Sequence, residues 1–460
     1  AGLAIADGIT ESNLDEFIII EKNKNIGGLA QTIYWKDIGY HDLGPHKIYS
    51  QDINLVNRVE KLIDKEEWLT QVKKSSIYIK NYYLPYPPSP ISLGKVFGIP
   101  VFLKMSFGYL LAIIKVTFSK KTISKTFEDD LINRVGSPLY NMLFKPTAMK
   151  LWGDPKKLDA KLSIGRVQTP SMFEIVFRAL GIKKTSSFEA LNFRYPKGGL
   201  SKLWNSIKEK TSSNGKYFLE HNLTGITIKN NRITELKTSN FNTDVIHQIK
   251  SNDYVVTSLP LGVTVPLLAD YFDEDIEKTL SQVVELNDLI LVFLHIDTPK
   301  LLEESWIFIP GPEVIFHRVS EQKSFDYNMV NEGTIVCCEI MSSKLNNLKE
   351  KSDDELYEST IQGLKNMGYI DINVLDKKII NLPKSYPVFN VGYEKGLKKI
   401  LNKLDSIENF KTIGRQGAFN YIGTLDAMDI GYGFVNWLKD KNKKDWKQER
   451  DRTSLYPVLD

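Results

Sequence analysis

The stretch Phe17-Ile18-Ile19-Ile20-Glu21, followed by Ile26-Gly27-Gly28-Leu29-Ala30, decides the reading of this chain. An unbroken apolar run rich in β-branched residues describes a parallel strand buried on both faces, here over 16–21. The strand closes on an acid, and a glycine pair follows where backbone can approach a ligand closely. Ahead of it, Ala1-Gly2-Leu3-Ala4-Ile5-Ala6 opens a helix read over residues 3–9. Gly2 then stands as the last glycine of a G-x-G-x-x-G turn, and Glu21 lies 19 positions on. A carboxylate at that place can accept bonds from both ribose hydroxyls of an adenine nucleotide. The pattern reads as the second half of a dinucleotide-binding βαβ unit, entered in mid-motif. The expectation is an N-terminally truncated unit whose first strand is missing. Because that strand is central in such sheets, this chain alone is expected to be unstable or free of cofactor until upstream residues are restored.

The bulk numbers exclude several classes. At 460 residues the chain exceeds one small core, and two intertwined domains are expected. Hydrophobic content of 42% with 25% charged residues is that of an ordinary soluble globular protein. The net charge of +4 is a weak bias, and Lys439-Asp440-Lys441-Asn442-Lys443-Lys444 reads as a solvated face, so no nucleic-acid partner is expected. The two cysteines, Cys337 and Cys338, are adjacent and point to opposite faces of a strand, which argues against a disulfide between them. No metal-ligand spacing is present. The cysteine usage suits a reducing, cytoplasmic compartment. The apolar stretch Val96 to Phe118 carries Pro100, Lys104 and Lys115, which make a bilayer span costly. It reads as a pair of substrate-domain helices, with peripheral membrane contact or an apolar substrate as the alternatives.

Along the chain, helix is expected over 54–64, strands over 76–86, a breaker at Pro85-Tyr86-Pro87-Pro88-Ser89-Pro90, and mostly helix over 94–180. A helix to about Lys210 follows Tyr195-Pro196-Lys197-Gly198-Gly199. Strands are expected near 216–236, over Asp253–Ser258 (buried), and over 287–296, 304–318 and 333–340. A helix is expected over 353–368, then the strand Lys411-Thr412-Ile413, a glycine-rich loop, and a helix from Asp426 to Lys439.

Three segments together carry a resemblance: Glu21 to Thr32, Asp42-Leu43-Gly44-Pro45-His46, and Gly414-Arg415-Gln416-Gly417-Ala418-Phe419-Asn420-Tyr421. They resemble the flavin amine oxidase superfamily, in the branch of protoporphyrinogen oxidase-like proteins and UDP-galactopyranose mutases. The resemblance implies an α/β fold: a discontinuous Rossmann-type FAD-binding domain with a mixed-sheet plus helical substrate domain. The FAD domain would take residues 1–75, 190–265 and 405–440, and the substrate domain 76–189 and 266–404, leaving 441–460 as a C-terminal tail. FAD is the implied cofactor. Glu21 would bind the adenosine ribose, with Gly2, Gly27, Gly28 and Gln31 along the pyrophosphate. Gln31 stands where many relatives have arginine. Leu223 would fall on the strand whose backbone meets adenine, and Gly44 and His46 would approach the isoalloxazine. Gly414 and Arg415 would pass the ribityl chain. The helix opening at Asp426-Ala427-Met428 would aim its N-terminus at the pyrimidine edge, where it would stabilise the negative charge of the reduced ring.

On the substrate side, Lys145-Pro146-Thr147-Ala148-Met149-Lys150-Leu151-Trp152-Gly153 is similar to a mutase stretch, with Thr147 replacing the tyrosine that would stack on uracil. Arg318, Arg166 and Tyr386 are the candidates that would orient substrate, an arginine fork suiting a phosphate or carboxylate. His46 would pack beside the ring and tune it. The implied activity is an FAD-dependent oxidoreductase in which a small-molecule substrate gives hydride to flavin N5. The alternative is a mutase-like isomerase acting on a sugar nucleotide, in which reduced flavin N5 attacks the anomeric carbon. A third reading is a flavin-binding protein without turnover.

Overall fold

The decisive stretch is a strand in the computed structural model, which describes residues 1–14, 16–86, 88, 90–118, 124–166, 192–241, 243–441, 445–452 and 456. Phe17–Glu21 runs parallel to Gly215–Leu219, in register from Phe17 opposite Gly215 to Glu21 opposite Leu219. Gly215 is needed there: a Cβ would meet the Phe17 ring at 2.2 Å. Past Glu21 the backbone is tied to the next turn, with Glu220 N–H donating to Asn23 O (3.2 Å) and His221 N–H to Glu21 O (3.0 Å). The expectation of burial on both faces is corrected, since Ile18 is 51% exposed. Phe17–Glu21 has one partner strand among the described residues, so one edge is uncovered. Val255–Thr257 likewise pairs in parallel with Phe410–Thr412 alone, and it is half-buried rather than buried. The helix Gly2–Glu11 packs beside these pairs, against the helices Ser201–Thr211 and Thr424–Lys439.

The largest sheet has seven strands in the order Val374–Val388, Glu285–Ile296, Thr334–Ser342, Arg318–Glu321, Trp306–Phe308, Ser75–Ile79, Tyr82–Pro85. Its centre is an antiparallel pairing from Asp288 opposite Ser342 to Ile296 opposite Thr334. Alternation sends Cys338 into a cluster with Val292, Phe316 and Ile340, and Cys337 into one with Phe293, Leu43 and Trp35 on the other face. Both thiols are free. The helix Asp353–Asn366 covers the Cys338 face through Leu356 and Leu364. It starts in a capping box: Ser352 Oγ accepts the Glu355 N–H (3.3 Å), and the Glu355 carboxylate accepts the Ser352 N–H (2.9 Å).

Several expectations are corrected. The strand read over 304–318 is only Trp306–Phe308. Pro310 and Pro312 interrupt the ladder, having no N–H to give it, and pairing resumes at Arg318. Val374–Val388 is one long strand that polar residues and two prolines disguise in the sequence. The helices Glu274–Val283 and Tyr393–Asp405 were not anticipated; Asp273 caps the first by accepting the Ile276 N–H (3.0 Å). The last cleft helix starts at Thr424, two residues before Asp426. Between the sheet strands lie the helices Pro90–Phe97, Ile99–Phe118, Phe127–Val135, Lys145–Leu151 and Ala160–Arg166. Residues 119–123 and 167–180 of the expected helical region, Pro87 and Ser89 of the breaker, the 189/190 boundary, and Asn442, Lys443 and Lys444 with most of the tail lie outside the described residues.

Candidate functional site

One cleft of about 3690 Å³ runs from the two parallel strand pairs to the helical region. Loops from distant parts of the chain open onto it. Glu21, at the end of its strand, lines it, with Oε1 accepting the Asn23 N–H (2.9 Å). Gly27 and Gly28 follow at φ +116° and +63°, backbone that favours glycine. A Cβ on Gly27 would meet the Trp204 ring at 2.5 Å, whereas one on Gly28 would meet nothing within 4 Å. Trp204 therefore seats this loop, and its indole N–H donates to Ala30 O. Gly2, Gln31 and Leu223 line the same cleft.

A second set of residues meets further along. Gly44 (φ +87°) and His46 come from the loop after the strand Gly39–Asp42. Asp42 anchors that loop from beneath: its carboxylate accepts from Thr32 Oγ1 (2.6 Å) and from the Tyr195 hydroxyl, both inside the protein. Burial raises Asp42 to about 6 against these hydrogen bonds, which pull it down. His46 Nδ1 lies 3.0 Å from Gly44 O. A carbonyl only accepts, so Nδ1 carries the proton and Nε2 the lone pair. Burial lowers His46 to about 4; the Gly44 hydrogen bond opposes this, and Arg318 and Arg415 add to the lowering.

Arg318 lines the cleft, but its fork is closed on Glu339, with Nε to Oε1 at 2.5 Å and Nη2 to Oε2 at 2.9 Å. The fork read as suited to a substrate anion is thus engaged within the protein. Glu339 went unnoticed in the sequence, although a lone acid inside Thr334–Ser342, where every residue is buried, signals a hidden cation. Arg415 differs. Its Nη1 donates to Ile422 O (3.3 Å), while Nε and Nη2 are buried with no protein partner. The guanidinium lies 4.2 Å from the ring centre of Tyr386 and 4.8 Å from that of Tyr421. Gly414, at φ +82°, precedes it. The first turn of Thr424–Lys439 presents Asp426, Ala427 and Met428 to the cleft, and the Asp426 carboxylate accepts the Gly423 N–H (2.9 Å). Burial raises the Asp426 carboxyl, which that hydrogen bond partly offsets.

At the far end the walls are apolar and aromatic. Trp152 is buried against Phe127 and Tyr421. Thr147 turns its hydroxyl onto Leu143 O (2.7 Å). Lys150, in the same cleft, donates to Ile309 O (3.1 Å) and Gly311 O (2.7 Å), and burial lowers it to about 7 against the pull of Glu313. Arg166 ends the helix Ala160–Arg166, and its side chain lies outside the described residues. Glu21, Gly44 and Gly414 thus share one cavity with Gly2, Gly27, Gly28, Gln31, Leu223, His46, Arg318, Arg415 and Tyr386, and Arg166 is not brought to it among the described side chains.

No family model matches the chain. Solved structures do. A reduced UDP-galactopyranose mutase superposes with a TM-score of 0.83 at 18% identity, over 98% of this chain and 94% of that one. A structure from Exiguobacterium sp. 255-15, provisionally assigned as a protoporphyrinogen oxidase, gives 0.71 at 15% identity over 96% of both chains. The cyclohexylamine oxidase of Brevibacterium oxydans IH-35A gives 0.63 at 11% identity, over 96% of this chain and 97% of that one. The chain has the flavin amine oxidase fold. In that fold the cleft described above is a single continuous space shared by all the loops that the three sequence segments supply. Its donor set suits a flavin cofactor: a strand-end carboxylate, glycine backbone open to approach, and a helix N-terminus.

Proposed function

We propose that this protein is an FAD-dependent oxidoreductase that takes hydride from a small apolar molecule. The observation that carries the reading is the convergence of Glu21, Gly27, Gly28, Gly44, Gly414 and Arg415 on one cleft with an apolar far end. FAD, when bound, supplies the hydride acceptor. Glu21 holds the ribose hydroxyls, and Leu223 packs beside the adenine. The backbone of Gly2, Gly27 and Gly28, with Gln31, borders the pyrophosphate. Arg415 borders the cofactor, and Tyr386 and Tyr421 fix the plane of its guanidinium. The helix Thr424–Lys439 turns its N-terminus, with Asp426, Ala427 and Met428, toward the cleft, and that end favours negative charge beside it.

His46 stays neutral above its lowered pKa and offers an Nε2 lone pair rather than a charge. Arg318 and Glu339 form a neutral pair that supports the Gly44 loop, where a Cβ on Gly44 would lie 3.5 Å from Glu339 Oε2. With that arginine neutralised and Thr147 in place of an aromatic, two of the contacts a sugar nucleotide would use are absent. Tyr386 is the residue expected to orient an apolar substrate.

The test is anaerobic titration of the flavin-loaded protein with apolar amines, tetrapyrroles and polyenes, watching visible flavin absorbance. Bleaching by one class supports the reading. Turnover of a UDP-sugar that appears only after dithionite, with no net redox change, contradicts it.

A further inference from the structure

We propose that the helix pair Pro90–Phe97 and Ile99–Phe118 seats on an anionic lipid bilayer and lies along its interface. The second helix is the one described helix long and apolar enough to cross a membrane, yet little of it is buried inside the protein. Its exposure follows a stripe. Ile99, Leu103, Phe107 and Leu111 recur every four residues and are 70%, 59%, 62% and 49% exposed. An apolar stripe of this kind facing water marks an interaction surface.

The other side of this helix is committed to the protein. Met105 and Ala112 are buried, and a Cβ on Gly108 would meet Pro138 at 2.7 Å, so backbone packs tightly against the turn at Gly136. Contacts with Phe127–Val135 and with Ser137–Leu139 hold the helix against the protein. A helix so fixed cannot leave the protein to span a bilayer, but it can sink its outer stripe into one.

Charge specifies the occupant. From Pro90 to Phe118 the sequence holds three lysines and no acid, although the whole chain carries only +4. Lys104 and Lys115, three helical turns apart, border one edge of the apolar stripe, and Lys95 is exposed on the preceding helix. Long lysine stems let the ammonium groups reach lipid phosphates while the stripe enters the acyl region. The inner side of the same helix pair lines the cleft through Leu93, Phe102, Met105 and Tyr109. Seated in this way, the cleft wall adjoins the lipid phase.

The test is co-sedimentation of the full chain with vesicles of phosphatidylcholine alone and of phosphatidylcholine with phosphatidylglycerol. Binding is expected on the anionic vesicles and weakened by salt. The variant L103E/F107E/L111E, altered only outside the cleft lining, should lose binding while keeping its circular dichroism and flavin absorbance. K104Q/K115Q should weaken binding roughly fivefold per lysine. Equal binding by the triple glutamate variant, or no binding of the wild type to either vesicle, overturns the proposal. A wild-type dimer that this variant splits also overturns it, because the face would then be covered by a second copy. Flavin absorbance in the same samples separates any such failure from a failure of the cofactor reading.

Discussion

Replacing Glu339 with glutamine removes the buried charge partner of Arg318 while keeping the side chain's shape. Glu339 is 1% exposed and the Arg318 side chain 16%, and their contact is a two-point fork. Breaking a buried pair from one side costs about 3–5 kcal/mol, because it strands the other charge. Arg318 borders the cleft, where water can reach it, so the lower end applies, about 3 kcal/mol. Unfolding entropy of about 2.1 cal/mol/K per residue gives roughly 1 kcal/mol/K for this chain, so E339Q should melt about 3 °C lower. The double variant R318M/E339L removes both charges and should recover most of that loss. Thermal and urea denaturation of the wild type, E339Q and the double variant measure the difference. An E339Q protein as stable as the wild type, or a double variant no better than the single one, refutes the reasoning.

Further outcomes follow from the glycines, His46 and Arg415. G27A should cost about 3 kcal/mol, from positive-φ strain plus collision with Trp204, whereas G28A has open space and should cost about 1 kcal/mol; urea midpoints in the reverse order would contradict the loop geometry. Below pH 6.5 the unfolded chain protonates His46 and the native state does not, down to about 4. The His46 contribution therefore falls with pH across that window, by up to about 1.4 kcal/mol per unit. Asp42, raised to about 6, works in the opposite direction, so the quantity to measure is the stability of the wild type minus that of H46Q from pH 7 to 4. A difference that stays flat would place His46 in solvent. R415Q should weaken FAD binding about 10–100-fold, the worth of a hydrogen bond to a charged group. Unchanged affinity by calorimetric titration would remove Arg415 from the site.

What the sequence disclosed was local. The strand ending at Glu21, the glycine pair and the opposed cysteines rest on periodicity and turn chemistry within a few residues. The break of the 304–318 strand was also local, since Pro310 and Pro312 were visible. What stayed hidden depends on register between distant segments. Arg318 meets Glu339 because the strands Arg318–Glu321 and Thr334–Ser342 pair at that offset, which neither segment encodes alone. Asp42 meets Tyr195 across 153 positions. Ile18 looked buried because its neighbours are apolar, while its exposure follows from how many strands flank it. The orphaned nitrogens of Arg415 arise from packing among Tyr386, Tyr421 and Ile422, and composition carries no trace of them.

The most direct test of the cofactor cleft is the content of the purified protein, released by denaturation and quantified. The account predicts one FAD per chain, with occupancy reduced by E21Q and by R415Q. A colourless, cooperatively folded protein that releases no flavin and takes up none on titration would contradict it.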